Sequence, residues 1–521
     1  MREAIRGLQF LWLHTALYTK SRIFQWSEER NGTVKTTINN ISYSDPEPKQ
    51  ISASEWHKLF KQIPDVFINY YRYYRQCGKT NWNTYLFPPS HFIIYGCRYL
   101  RKLRFDNSIA SLRLWGFMLS ESERLYRARQ SGMKIAATMG DLGAIPPLVN
   151  SFSGVVSFYP DCYWWTPFLN ESTVLFEEAK RRGIGDECCF VRAAFGAFAK
   201  LAYFPKPDVN IAATGASCDD MAAVMQSIER LGHQIHWFEL PHRKTQYPWF
   251  SGEAFSITQS DKIPYQSDIK EVLLKEYEAL IPLLEQATGQ KYLASCLKKS
   301  IQKTNTIRRL IEEIKNLTFT ARLSPLPALE IMNIEFIALS GYSDTDETIS
   351  ILEHILDTVK DRIVHNQGLS KENSVRIFWV TPPADPLLLN YLEDLGGRLA
   401  GTEFVINQAL HPLPINGNPL ESLVDGLLNA SLIGTTKNRA DTIVQQARKY
   451  NAEGVIISNI FASSHCAYET SLIKEIIQKE LNIPVLAFDV VAPGKQKLQS
   501  QIFNRMTAFI ELIRERKLNN H

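Results

Sequence analysis

The sequence predicts an α/β protein with two doubly wound parallel sheets, in flavodoxin- or Rossmann-like domains that face each other across a cleft. Two observations support this fold class. From about residue 131 onwards, strand-like apolar segments alternate with helical segments, as in parallel sheets with crossover helices. In addition, one pattern occurs twice, around Cys218 and around Cys466: a β-branched run, a small-residue loop, a cysteine and a helical stretch.

The predicted elements divide the chain into four parts. Residues 1–130 are aromatic and basic and are expected to form a mainly helical N-terminal extension. The first α/β domain covers 131–264, with strands KIAATMG, GVVSFYP, VNIAATG and IHWFELP. Helical periodicity over 265–330 predicts a helical linker or cover. The second α/β domain covers 331–521, with strands RIFWVTPP, EFVINQA, GVIISNIF and PVLAFDVV.

Composition excludes several classes of protein. An apolar content of 45% and a charged content of 21% are typical of a globular protein with more than one core. A net charge of +4 argues against a dedicated nucleic-acid binder. No run of about eighteen apolar residues predicts a membrane span, and the N-terminus resembles an amphipathic helix rather than a signal peptide. The cysteines form no small-domain disulfide framework, so we expect reduced thiols and a cytoplasmic protein.

The repeated cysteines lie where an open parallel sheet binds ligands, outside the carboxyl ends of its strands. About seventeen residues separate each cysteine from the next strand, which is enough for one crossover helix and its loops. A third setting, DECCFVRAAFGAF, places Cys188 and Cys189 at the start of a helical stretch. A helix N-terminus stabilises thiolate, which is the form of cysteine that binds iron. Three such thiols could bind three irons of a 4Fe–4S cluster and leave the fourth iron open.

Other interpretations of the cysteines stay open at this stage. A single buried cysteine is commonly a small apolar core residue. Structural zinc sites usually have close ligand pairs, and the absence of a CxxC pair disfavours zinc. A nucleophilic pair of Cys466 with His465 is an alternative, although neighbours in sequence rarely face each other. Cys189 and Cys162, the latter in FYPDCYWWTPF, are alternative cluster ligands.

Several motifs resemble one enzyme family. DECCFVR resembles the Cys-(Ser/Pro)-aromatic-x-Arg signature of the iron–sulfur subunits of 2-hydroxyacyl-CoA dehydratases (the D-component) and benzoyl-CoA reductases. CDD before IHWFELPH and SHC before NIPVLAFDV resemble that family's second and third cysteine motifs. RADTIVQQARKYNAEGVIISNI and the last helix, QSQIFNRMTAFIELI, are also similar, so the likeness covers about residues 130–521. Two departures are Cys189, where the family usually has Ser or Pro, and the N-terminal 130 residues.

The resemblance implies a subunit that holds one 4Fe–4S cluster through Cys188, Cys218 and Cys466. It also implies a paralogous iron–sulfur partner subunit, in a heterodimer or homodimer, and an ATP-dependent activator that supplies a low-potential electron. The electron would turn an acyl-CoA thioester into a ketyl radical anion under anaerobic conditions. A hydroxyl would then leave, as in a lyase, or an aromatic ring would be reduced, as in an oxidoreductase. The alternatives are a non-catalytic electron-transfer or scaffold subunit and a metal-free α/β binding protein.

A dry pocket beside the cluster is expected to hold the thioester. Its candidate wall residues are Trp164, Trp165, Phe190 and Arg192. Aromatic packing and an ordinary salt bridge are the alternative roles of these side chains. Basic residues of the helical linker would meet the CoA phosphates at the mouth of the pocket. No individual catalytic residue can be assigned from the sequence.

Overall fold

A computed structural model describes residues 35–38, 41–65, 75–77, 80–82, 89, 98–141, 143–160, 172–185, 189–242, 264–461, 463–490 and 496–519. The fold is α/β with two four-stranded parallel sheets, which confirms the predicted fold class. The predicted domain boundaries at 130, 264 and 330 stay a prediction.

The first parallel sheet consists of β7 (Lys134–Met139), β8 (Val155–Phe158), β9 (Val209–Gly215) and β10 (His236–Leu240), and its order is β8-β7-β9-β10. Nearly every residue of β7 and all of β8 are buried. This explains their continuous apolar sequences, because a parallel sheet is covered on both faces and its strands do not alternate.

The second parallel sheet has the same order of strands. It consists of β11 (Val375–Val380), β12 (Gly397–Glu403), β13 (Gly454–Ile460) and β14 (Val485–Val490), arranged as β12-β11-β13-β14. In both sheets, therefore, the first strand along the chain lies between the second and the third, and the chain switches direction there. Ligand sites in doubly wound sheets lie at such switch points, next to the carboxyl ends of the strands.

The N-terminal part also contains short antiparallel pairs. β1 (Lys35–Ile38) pairs with β2 (Ile41–Ser44), β3 (Gln50–Ser52) with β6 (Arg104–Asp106), and β4 (Arg75–Cys77) with β5 (Thr80–Trp82). The β3–β6 pair is fixed by aromatic packing, since the Phe105 ring lies 5.2 Å from Trp56 and 4.8 Å from Trp115. Burial of such large rings supplies much of the apolar area of this region.

Helices form throughout the described residues of the chain. They are α1 (Ala53–Phe60), α2 (Ile109–Leu119), α3 (Glu121–Gln130), α4 (Pro146–Val149), α5 (Thr173–Arg181), α6 (Arg192–Lys200), α7 (Asp219–Glu229), α8 (Pro264–Thr288), α9 (Ala294–Thr320), α10 (Ala328–Ser340), α11 (Thr345–Val364), α12 (Leu387–Asp394), α13 (Pro419–Leu428), α14 (Thr436–Lys449), α15 (Thr470–Leu481) and α16 (Gln496–Asn519). Short 3-10 turns occupy Arg98–Lys102, Gly341–Ser343 and Asn407–Ala409, and a π-helical turn occupies Ser464–Tyr468.

The loops at the carboxyl ends of the two sheets contact each other directly. The Arg308 side chain of α9 is buried and donates 2.7 Å to the His411 carbonyl and 3.1 Å to the Gly143 carbonyl. Gly143 lies so close to Ala409 that a Cβ at position 143 would be 2.6 Å from the Ala409 Cβ. Since Gly143 follows β7 and His411 follows β12, these contacts hold the ends of the two sheets face to face.

Candidate functional site

Cys218 follows the third strand of the first sheet through a tight turn. Gly215 ends β9 with φ +84°, and a Cβ there would lie 2.4 Å from the Leu240 carbonyl oxygen, so only glycine fits. The Ala216 N–H then donates to that carbonyl at 2.7 Å, and the Ser217 hydroxyl donates to the Gly140 carbonyl at 2.7 Å. Cys218 is consequently the N-cap residue of α7, at the carboxyl end of the sheet.

Cys189 lies beside Cys218 and is held by hydrogen bonds of its backbone. Its N–H donates to the Asp220 carboxylate at 3.0 Å, and its carbonyl accepts from Arg192 at 3.2 Å. The side chain is buried, and its thiol is hydrogen-bonded to the Cys218 thiol. That bond, with the Met221 N–H and the charge of His465, outweighs burial and lowers the pKa of Cys218.

Cys466 follows the third strand of the second sheet, in the π-helical turn Ser464–Tyr468. Turns of this kind occur frequently at functional sites. The residue is only 3% exposed, and burial raises the pKa of its thiol to about 12. The Arg439 charge and a hydrogen bond with Ser463 act in the opposite direction. Burial therefore favours the protonated form of the Cys466 thiol.

Cys218 and Cys466, which follow strands of opposite sheets, interact electrostatically. Charge on Cys218 raises the pKa of Cys466, and the charge of His465 acts on Cys218, so these groups share one small region. Cys189 belongs to the same group through its contact with Cys218. Four described cysteines form no disulfide: Cys189, Cys218, Cys296 and Cys466.

The remaining predicted site residues divide into two sets. Phe190 and Arg192 pack beside Cys189 against Phe176, with ring centroids 6.1 Å apart and the guanidinium 4.8 Å above the ring. Their observed contacts are thus with the core, and a role in a substrate pocket stays a prediction. The other predicted site residues lie outside the described residues: Cys162, Trp164, Trp165 and Cys188.

The donor groups at this point suit a thiolate-ligated metal cluster. One thiol follows the end of each sheet, and the Ser464 hydroxyl oxygen near Cys466 is shielded from solvent and has no hydrogen-bond partner among the residues that the structure describes. Such a hydroxyl can donate to a cluster sulfide. Among the described residues no three His, Cys, Asp or Glu side chains are spaced to hold a metal ion. The predicted set of three cysteines includes Cys188, so this finding does not bear on it.

Sequence reasoning missed the buried charges around Cys466. Arg439 of α14 is 1% exposed and forms ion pairs of 2.6 Å with Glu403 and with Glu469. One feature of the sequence could have indicated these buried charges: Arg439 lies in the first turn of a helix, where the helix dipole disfavours a cation. The direct hydrogen bond between the Cys189 and Cys218 thiols was not predicted, although both were candidate ligands of one cluster.

Comparison with known proteins identifies the family. The family model described as 2-hydroxyglutaryl-CoA dehydratase, D-component, matches residues 156–513, which is most of the chain. The chain belongs to this family. It is also similar to a benzoyl-CoA reductase subunit of Thauera aromatica, with 21% identity over 425 residues, 76% of this chain and 92% of that relative. The suspected resemblance is thereby confirmed, and it supports a role as an enzyme subunit.

Of the helices the structure describes, none is long and apolar enough to cross a membrane.

Proposed function

We propose that this chain is the iron–sulfur subunit of a radical enzyme that reduces CoA thioesters, of the 2-hydroxyacyl-CoA dehydratase or aromatic acyl-CoA reductase type. The observation that supports the proposal most is that Cys218 and Cys466 follow the equivalent third strands of two sheets of the same order and that the charge of Cys218 acts on Cys466. A simple core role would not require cysteine at both third-strand ends. Family membership adds the expectation of a CoA thioester as substrate.

Cys188, Cys218 and Cys466 are the proposed ligands of one 4Fe–4S cluster, which when bound would pass a single electron to the thioester. Cys218 is prepared as a thiolate by the α7 N-terminus and by its hydrogen bonds. Cys466 must lose a proton when metal binds, since burial otherwise keeps it neutral. Arg439, which lowers the pKa of that thiol, supplies positive charge near the resulting thiolate.

The neighbouring Cys189 supports a further part of this proposal. Its thiol already touches Cys218, so it lies within reach of a cluster that Cys218 holds. We therefore treat Cys189 as an alternative to Cys188 for the ligand from this loop, and the family motif favours Cys188. A low-potential electron would come from an ATP-dependent activator, and a paralogous iron–sulfur subunit would complete the enzyme.

Anaerobic purification with iron and sulfide analysis tests the ligand set. Cys188→Ser, Cys218→Ser and Cys466→Ser should each lower iron and sulfide content several-fold, because a hydroxyl is a poor substitute for thiolate on iron. Cys296→Ser, on α9, is the matched control and should keep the wild-type content. Cys189→Ser should also keep it if Cys188 is the ligand. Equal iron in all of these variants would reject the site.

A second measurement separates an enzyme subunit from an electron carrier. An enzyme needs an open iron that an acyl-CoA can approach, whereas a carrier does not. Adding 2-hydroxyacyl-CoA or benzoyl-CoA to the reduced, reconstituted protein with its partner subunit should change the electron paramagnetic resonance spectrum of the cluster. An unchanged spectrum with both classes of ester would favour the alternative, a non-catalytic electron-transfer or scaffold subunit.

A further inference from the structure

We infer that Arg439 is a positioning residue that fixes the Cys466 loop, an inference that rests on the proposed role of Cys466 as a ligand. Arg439 lies in the first turn of α14, and its side chain is only 2% exposed. The guanidinium contacts three separate pieces of the chain: the end of β12, the π-helical turn that carries Cys466, and the residue that follows this turn.

The first piece is Glu403, the last residue of β12. Its Oε2 accepts from Arg439 Nη2 at 2.6 Å and from Nε at 3.2 Å. Its Oε1 accepts from the Val405 N–H at 3.3 Å, and its carbonyl accepts from the Thr381 N–H at 2.7 Å. Glu403 is itself buried, so this carboxylate ties the guanidinium to the carboxyl edge of the second sheet.

The second piece is the peptide group that precedes Cys466. Arg439 Nη1 donates to the His465 carbonyl oxygen. That oxygen and the Cys466 nitrogen belong to one planar peptide unit, so a fixed oxygen fixes the orientation of the Cys466 backbone. Arg439 can therefore orient the Cys466 thiol without touching it, because the fixed backbone determines where the Cys466 side chain begins.

The third piece is Glu469, which immediately follows the turn. Its Oε2 accepts from Arg439 Nη1 at 2.6 Å, and its Oε1 accepts from the Thr436 hydroxyl at 2.8 Å. The turn is therefore held at the carbonyl before Cys466 and again three residues after it. Both contacts come from the first turn of α14, so the helix start and the cysteine turn move together.

Stability alone does not account for this arrangement. Burying one guanidinium and two carboxylates costs desolvation energy, and apolar residues of similar size often stabilise a core as well or better. An arginine in the first turn also opposes the helix dipole. An apolar residue cannot donate a hydrogen bond to the His465 carbonyl. It also lacks the planar guanidinium, which binds two carboxylates at the same time.

The test compares Arg439→Lys with Arg448→Lys in the full-length chain. Lysine keeps the charge but cannot span Glu403, Glu469 and the His465 carbonyl together. Arg448 lies on the same helix but is exposed and pairs with Glu480, so its variant is the matched control. In the metal-free protein, amide hydrogen exchange over 464–468 should become about tenfold faster or more in Arg439→Lys, relative to exchange over 454–460. Arg448→Lys should leave that ratio unchanged.

Reconstitution with ferrous iron and sulfide gives a second readout. Arg439→Lys should bind less iron than Arg448→Lys and give a broadened or shifted electron paramagnetic resonance signal. If Arg439→Lys fails to fold, Glu469→Gln replaces it and should show the same changes to a smaller extent. A lower melting temperature with an unchanged exchange ratio and an unchanged signal would overturn the inference. If Cys466→Ser also keeps a wild-type cluster, the proposed ligand set fails as well, so the two failures are distinguishable.

Discussion

The carboxyl ends of β9 and β13 hold their cysteines by different means, although each is the third strand of a sheet of the same order. Beside Cys218 the chain relies on close backbone packing, with Gly215 against Leu240 and Ser217 against Gly140. Beside Cys466 the chain relies on buried charge, centred on Arg439. The repeated topology thus determines the position of each cysteine at the end of its strand. The surroundings of each cysteine depend on the local side chains.

The difference has a chemical consequence for the two thiols. Cys218 caps a helix, is half-buried and has a lowered pKa, so it becomes a thiolate readily. Cys466 is buried with a pKa raised to about 12 and stays protonated without metal. If both cysteines bind the proposed cluster, the lowered pKa favours deprotonation of Cys218 before metal binds, whereas Cys466 must lose a proton on binding.

The largest expected effect lies at the backbone contact of the first half. Gly215→Ala should destabilise the protein by about 2–4 kcal/mol, because a Cβ at φ +84° would also meet the Leu240 carbonyl at 2.4 Å. Gly232→Ala is the control, since φ is +86° but nothing lies within 4 Å, and it should cost only about 1 kcal/mol. Denaturant unfolding measures both, and equal costs would show that the close contact is unimportant.

Much of this comparison was accessible from the sequence, and some of it was not. The strand-loop-cysteine-helix repeat predicted both parallel sheets and the carboxyl-edge positions of Cys218 and Cys466, because apolar runs and crossover lengths encode parallel topology. The partners of the cysteines could not be predicted. Arg439 and Glu403 come together only when α14 packs on the end of β12, and a single sequence carries no sign of that contact. The hydrogen bond between the Cys189 and Cys218 thiols was not predicted either, although both cysteines were candidate ligands of one cluster.

A smaller effect concerns buried charge beyond the cysteine loop. Glu330 of α10 is 1% exposed and accepts from the Asp106 N–H at 2.9 Å and from Trp115 at 3.1 Å. Burial, with the nearby Asp106 charge, raises its pKa to about 8. Between its ordinary value of 4.5 and about 8 the folded state therefore binds more protons than the unfolded state, and stability falls as pH rises.

Glu330→Gln should flatten this pH dependence and make the variant more stable relative to the parent at pH 8 than at pH 5, by about 1–3 kcal/mol. Glu372→Gln changes an exposed carboxylate paired with Arg322 and should leave the slope as it is. Melting temperatures of the parent and both variants across that pH range measure this pH dependence. An unchanged slope in Glu330→Gln would mean that this carboxyl ionises normally in the folded protein.

The least disruptive test sharpens the contrast between the two thiols. In iron-free protein under anaerobic conditions, iodoacetamide at pH 7–8 should label Cys218 at least about tenfold faster than Cys466, because Cys218 is partly exposed with a lowered pKa whereas Cys466 is buried with a raised pKa. Peptide mass spectrometry gives both rates from one sample. Both rates should become equal after unfolding in denaturant, which controls for intrinsic reactivity. Equal rates in the native protein would remove the proposed difference between the halves.

Anomalous scattering at the iron edge from anaerobically grown crystals would show whether Cys218 and Cys466 share one iron–sulfur cluster. One iron peak of cluster size is expected between the sheets, with one iron about 2.3 Å from the Cys218 sulfur and a different iron about 2.3 Å from the Cys466 sulfur. An iron peak at only one of these sulfurs, or iron bound elsewhere while the two thiols remain in contact with protein alone, would contradict it.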